Sequence, residues 1–190
     1  YDDFSDIKSS DWNRKSDLRL VNSLIFGVYN AKAYDELQLL AYFNPNFSRW
    51  DRPNYFVINQ KNQKIFNTTS GVDESLYDYR FVYLVNTVAD RFPISGKWYY
   101  STDENIRKNN VTILPVIRSS EMRYIEAESY AREGNFAEAK RILQEMRDER
   151  GCVESIHVEK WEDFVAELIQ DARREWISEG QLFYLYKRLN

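Results

Sequence analysis

Between Arg118 and Gly151 two apolar stripes at three- and four-residue spacing flank a Gly134-Asn135 pair, a pattern that admits little besides two packed helices. The spacing predicts a first helix over 119–132. Met122, Ile125 and Ser129 fall on one side, Tyr124, Ala127 and Ala131 on the other, with Glu121, Glu128 and Arg132 as a polar stripe between. A helix that is apolar on two sides is expected to pack against neighbours on both. Gly134 and Asn135 both tolerate positive φ and suit a helix end followed by a tight turn. The second helix starts near Phe136, with Phe136, Ala139, Ile142, Leu143 and Met146 on one stripe.

The order Ala127, Tyr130, Gly134, Phe136, Ala139 matches a tetratricopeptide-type repeat at several positions, a unit of about 34 residues. An ordinary helical hairpin is the alternative. At least about three such units are needed for an independent array, and no second clear copy is visible. Other helices must therefore cover the hairpin. The expected fold is mainly α, a tetratricopeptide-like helical scaffold with long irregular loops and a few short strands. Residues 1–113 are expected to form a loop-rich, ligand-side part. Residues 114–190 are expected to form the scaffold, with the repeat unit at 118–151 and a C-terminal helix at 161–179, both parts belonging to one larger domain.

Composition removes several function classes. The chain is 190 residues long with a net charge of -4, its basic residues scattered among acids. Without a basic stripe or a glycine-rich phosphate loop, nothing points to nucleic acid. A single cysteine, Cys152, excludes an internal disulfide and reads as a spare thiol in a loop. His157 is the one histidine and has no cysteine partner at metal spacing, so it reads as a surface or half-buried residue and not as a ligand. No metal or cofactor is expected. No stretch approaches the ~20 apolar residues of a membrane span.

Along the chain, 1–19 is polar, and 19–30 is apolar and β-rich, predicting a buried strand. A weak helical spacing covers 31–41. Residues 43–56, FNPNFSRWDRPNYF, are a loop by turn chemistry. This is the best binding-loop candidate, because loops rich in both rings and polar groups carry function more often than core segments do. Trp50 and Tyr55, with Phe47, offer stacking platforms; Arg49, Arg52 and Asn54 offer hydrogen bonds. A packed loop whose rings serve stability is the alternative. A polar loop is read at 60–70. Residues 73–89 read as a helix, although FVYLV at 81–85 equally suits a strand, and 97–100 reads as a short strand. Trp161, Phe164, Val165, Leu168, Ala172 and Trp176 form an amphipathic stripe that carries a helix to about Ser178, ended by Glu179-Gly180. Residues 181–190 suit a short helix.

Two stretches carry a further pattern. In the first its residues are Arg118, Glu121, Ala127, Glu128, Gly134, Asn135, Arg147, Arg150 and Gly151. In the second they are Arg173, Arg174, Glu175, Glu179, Gly180, Phe183, Tyr184, Lys187 and Arg188. In this order the two resemble the C-terminal half of the SusD/RagB family of outer-membrane nutrient-binding lipoproteins. The resemblance departs at Leu182 and Leu185, where the family often carries Arg and Asp, which puts a shared salt bridge there in doubt. Arg118, Glu121, Glu128, Arg174 and Glu175 read as candidates for partly buried ion pairs between helices, with Arg147, Gly134 and Gly180 as further structural positions. The resemblance implies a protein lipid-anchored on the extracellular face of the outer membrane, through an N-terminal region that this chain lacks. Such a protein binds oligosaccharides or other nutrients, passes them to a TonB-dependent (SusC-like) transporter and performs no chemistry. An intracellular repeat adaptor that binds a peptide is the competing reading. An enzyme would need paired carboxylates roughly 5–9 Å apart for glycoside hydrolysis, and no pattern in the sequence places them so.

Overall fold

The computed structural model describes residues 23–29, 58, 64–66, 78–88, 92–95, 113–152 and 154–189. The described part is predominantly helical with a few short strands. In chain order it comprises β1 (Leu24–Tyr29), a 3-10 turn (Lys64–Phe66), α1 (Tyr79–Leu84), β2 (Val85–Val88), β3 (Phe92–Ser95) and β4 (Ile113–Arg118). Four helices follow: α2 (Ser119–Arg132), α3 (Phe136–Glu149), α4 (Trp161–Glu175) and α5 (Gln181–Leu189).

β1 pairs antiparallel with β4, Leu24 opposite Arg118 and Tyr29 opposite Ile113, with irregular register near Phe26. Pro115 is accommodated because the strands form a two-stranded sheet and a residue without an N–H fits an edge. β2 and β3 form a second antiparallel pair, Val85 opposite Ser95. The 81–85 segment, which suits either state by sequence, divides: Phe81 lies in α1 and Val85 opens β2.

α2 and α3 form the expected hairpin, and its turn is a Schellman motif. Gly134 takes φ +79°, its N–H donates to Ala131 O, and Asn135 N–H donates to Tyr130 O at 2.9 Å. Asn135 itself has φ −85° and caps α3, its side chain accepting from Glu138 N–H. The helix end and tight turn expected at Gly134-Asn135 are present, and of the two residues Gly134 supplies the positive φ. α3 ends in the same way: Gly151 sits at φ +69°, and Cys152 N–H donates to Arg147 O at 2.9 Å.

One core lies between α2, α3 and α4. It gathers Tyr124, Ala127 and Ala131 from α2, Ala139, Ile142, Leu143 and Met146 from α3, and Phe164, Leu168 and Ala172 from α4. Tyr124 and Trp176 meet edge-to-face at 5.0 Å. The small residues bring the helix backbones close, and the bulky ones fill the space they leave. α4 stops at Glu175, before the expected Ser178; the chain then turns, with positive φ at Ser178 and Gly180.

Three further expectations change. The strand at Leu24–Tyr29 is not buried: Ile25, Phe26 and Val28 are exposed. The second apolar side of α2 is likewise open, with Met122 and Ile125 exposed, because α3 and α4 both pack on the Tyr124 side. Within the expected polar loop 60–70, Phe66 is fully buried and stacks near Phe81 at 5.6 Å.

Candidate functional site

The expected ligand residues Arg49, Trp50, Arg52, Asn54 and Tyr55 lie outside the described residues, as do the weak helix at 31–41 and the short strand at 97–100. The structural-motif residues lie inside them, and several converge. α4 carries acids on its buried stripe: Phe164, Leu168, Asp171 and Glu175 succeed one another at helical spacing, all at or near zero exposure. Arginines from three other elements, α1, β4 and α3 with its C-cap, reach these acids.

Glu175 is the hub. Its Oε1 accepts from Arg118 Nη2 at 3.1 Å, and its Oε2 accepts from Arg80 Nη1 and Arg150 Nε, both at 3.2 Å. Arg118, at the end of β4, also donates to the Glu175 carbonyl, to both Glu179 oxygens and to Ser23 Oγ beside β1. Arg80, in α1, donates to both Asp78 oxygens and to Asp171 Oδ1 at 2.9 Å. Tyr124 completes the site, its hydroxyl donating to Asp171 Oδ2 at 2.5 Å. Arg147 lies 3.5 Å from Asp171 through Nε and pairs with Glu167 at 2.6 Å.

Four guanidinium groups (Arg80, Arg118, Arg147 and Arg150) thus face Asp78, Asp171, Glu175 and Glu179, with Glu167 pairing Arg147 at the edge of the cluster. Its geometry ties α1, β4 and α3 to α4. Burial pushes the Asp171 carboxyl up, but the charge and hydrogen bond of Arg80, with Arg147 and Tyr124, outweigh it and hold the group below its ordinary range. Burial lowers the Arg80 guanidinium, and Asp171, Asp78 and Glu175 more than offset that, so it stays charged. Burial together with the Asp171 and Glu175 charges pushes the Tyr124 phenol well up. Asp171 and Arg80 thus hold their charges together, and the arrangement acts as a clamp.

The remaining motif residues stand around it. Arg174 is fully buried and reaches Cys152 Sγ at 3.1 Å, Glu154 at 3.3 Å and the Ile65 carbonyl, which joins α4 to the 3-10 turn. Cys152, expected to be a spare thiol in a loop, is buried. Burial raises its thiol, opposed by the Arg174 charge. Glu128 is buried and links Arg132 in α2 to Arg188 in α5, at 2.7 and 2.8 Å. Glu121 makes no ion pair among the described residues. His157 is exposed, 3.6 Å from Glu159. A cavity of about 330 Å³ opens where α2 begins and α3 ends, lined by Ser119, Ser120, Met122, Arg123, Met146 and Arg150 among others.

Sequence reasoning does not single out Asp78, Arg80, Tyr124 or Asp171 as site residues. For Asp171 a signal exists: an acid on the apolar stripe of an amphipathic helix must find a cation. Asp78 and Arg80 pair locally, two positions apart, but the other partners of Arg80, Asp171 and Glu175, lie 91 and 95 positions away and leave no local signal.

No family model, curated protein or solved structure matches the chain. No group of side chains suited to hold a metal ion occurs among the described residues, and no described helix is long and apolar enough to cross a membrane.

Proposed function

We propose that the chain is part of a SusD/RagB-type nutrient-binding protein of the outer-membrane surface. It captures an oligosaccharide and passes it to a TonB-dependent transporter without chemistry. The observation that carries this reading is the use made of the two blocks behind the resemblance. Arg118 and Arg150 from the first block meet Glu175 in the second, and Arg118 also meets Glu179, in the buried cluster. Residues that explain one another across about 60 positions behave as one scaffold motif rather than as two chance matches. Within it we read α2–α3 as a tetratricopeptide-like unit, supported by the buried Ala127, Ala131 and Ala139 at the helix crossing and by the Gly134 turn. A peptide-binding adaptor would account for the hairpin and leave the second block unexplained.

The ligand contacts are assigned to the 43–56 loop, with Trp50 and Tyr55 stacking on sugar faces and Arg49, Arg52 and Asn54 gripping hydroxyls. The test is native affinity electrophoresis of the chain against a panel of neutral and acidic polysaccharides, with Trp50→Ala beside it. Retardation by at least one polysaccharide is expected, lost in the variant. A folded chain retarded by none refutes the glycan reading. Retardation that survives Trp50→Ala refutes the loop assignment alone.

A further inference from the structure

We propose that the outward face of α5 is a second glycan contact, a platform for an acidic sugar residue; this rests on the glycan-binding reading above. α5 is firmly seated. Leu185 is buried, Leu182 and Leu189 pack against the core, and the Gln181 amide donates to the Val116 carbonyl of β4. The aliphatic stripe is thereby used up inside the protein.

The opposite face presents rings to solvent: Phe183 is 62% exposed, Tyr184 70% and Tyr186 39%. Phe183 and Tyr184 stand edge-to-face, with centroids 5.5 Å apart and planes at 82°. One ring can therefore serve as floor and the other as wall. Lys187 leans over Phe183, its Nζ 5.7 Å from the ring centroid. It makes no ion pair among the described residues. Arg188, by contrast, is tied to Glu128. α5 contains no acidic residue, so its outer face is a cationic spot on a chain whose net charge is -4.

Rings beside a free ammonium recognise a flat C–H face carrying an anion on its edge, which is the chemistry of a uronic acid. The ring packs on Tyr184, and its carboxylate meets Lys187 in a charge-assisted hydrogen bond. An anionic membrane fits less well. Surface-bound helices turn an apolar face to the lipid, whereas here the leucines point inward. Lipid-recognising segments also cluster about four to eight basic residues.

The experiment uses the intact chain and three probes: polygalacturonate, its methyl-esterified neutral form, and vesicles of phosphatidylserine and phosphatidylcholine. The variants are Tyr184→Ala, Tyr184→Phe and Lys187→Gln, all at exposed positions, with circular dichroism verifying the fold. Polygalacturonate affinity is expected to fall about tenfold or more in Tyr184→Ala and Lys187→Gln, and to survive in Tyr184→Phe. The neutral ester should be indifferent to Lys187→Gln. Polygalacturonate binding that ignores both substitutions overturns the platform. So does binding of neutral glycans alone that Tyr184→Ala leaves unchanged, a result that keeps the nutrient-binding reading. Binding to no polysaccharide overturns both. Vesicle binding lost in the same variants replaces the sugar with a membrane surface.

Discussion

Replacing Glu175 by Gln tests the central structural claim, that one carboxylate holds three parts of the chain together. The substitution keeps volume and shape, so cavity effects are small. It removes the charge that Arg80, Arg118 and Arg150 share, and it turns an amide N–H₂ toward guanidinium donors. The side chain is 1% exposed, as is that of Arg80, with Arg118 at 2% and Arg150 at 8%. Water therefore cannot replace the lost partner. Breaking a buried pair from one side costs about 3–5 kcal/mol, because an uncompensated charge stays behind. For a chain of this size that lowers the melting temperature by roughly 6–20 °C, against a total stability of about 5–15 kcal/mol. Thermal and urea unfolding followed by circular dichroism measure it. Glu138→Gln, which breaks an exposed pair with Arg141, serves as control and should leave the midpoint in place. If Glu175→Gln behaves like the control, the cluster is not the clamp described here. Hydrogen exchange adds a second reading. The α1 amides, including Arg80, should exchange faster in the variant, because their tie to α4 runs through Glu175 and Asp171.

Other outcomes follow from the same geometry. Asp171 has its folded pKa held below the ordinary 3.8, so its contribution is present above that value and is lost as pH falls through the folded one. Acid unfolding of the wild type should steepen below about pH 4, and Asp171→Asn should flatten that limb in a pH series of urea midpoints. Tyr124 has its folded pKa raised above the ordinary 10.0, so stability is full below that value and falls as pH rises through the folded one. Tyr124→Phe should remove the alkaline loss and cost about 1–3 kcal/mol at neutral pH, through the unsatisfied Asp171 oxygen. Gly151→Ala places a Cβ 2.5 Å from the Tyr79 ring at φ +69°. It should cost more than Gly134→Ala, where the added Cβ meets nothing within 4 Å; chemical denaturation of the two variants ranks them. Cys152 should react slowly with Ellman's reagent in the folded chain and at once in urea, since its thiol is buried and raised. Rapid native reaction would refute that burial.

Helices announced themselves wherever the apolar period was long and the ends carried turn chemistry. The α2–α3 hairpin is legible because Gly134 adopts positive φ without a side-chain penalty, and because the Ile142, Leu143, Met146 stripe has one solution. α4 is legible for the same reason, apart from its last turn. There the period continues through Trp176, but the helix ends at Glu175, whose side chain and carbonyl are both held by Arg118. A tertiary bond set that boundary, and no local pattern carries it. The short segments are harder for a related reason. FVYLV satisfies helix and strand equally; the Asp78 cap, which accepts from Arg80 N–H, opens α1 just ahead of it, and Val85 turns extended and begins β2. The exposure of Ile25, Phe26 and Val28 runs against their composition, because apolar content says what a strand is able to bury and not whether a neighbour arrives.

The site divides along the same line, and the division has a physical basis. A single helix displays its own contradictions: Asp171 and Glu175 sit among Phe164, Leu168 and Ala172, and a carboxylate without water must have a cation beside it. The sequence therefore demands partners for α4 without identifying them. The arginines that answer come from α1, β4 and α3, and nothing in the residues around Arg80 sets it apart from an exposed arginine such as Arg141. Only the fold distinguishes them. The cost of separating such charges then makes the upstream segments and the helices interdependent, since α1 without α4 would leave Arg80 and Asp78 a pair short of its second carboxylates. A chain built this way is expected to lose its β4 and α1 contacts together when the hub is removed, instead of fraying one element at a time. Loss of the two in separate transitions would show that the charges are neighbours and not a unit.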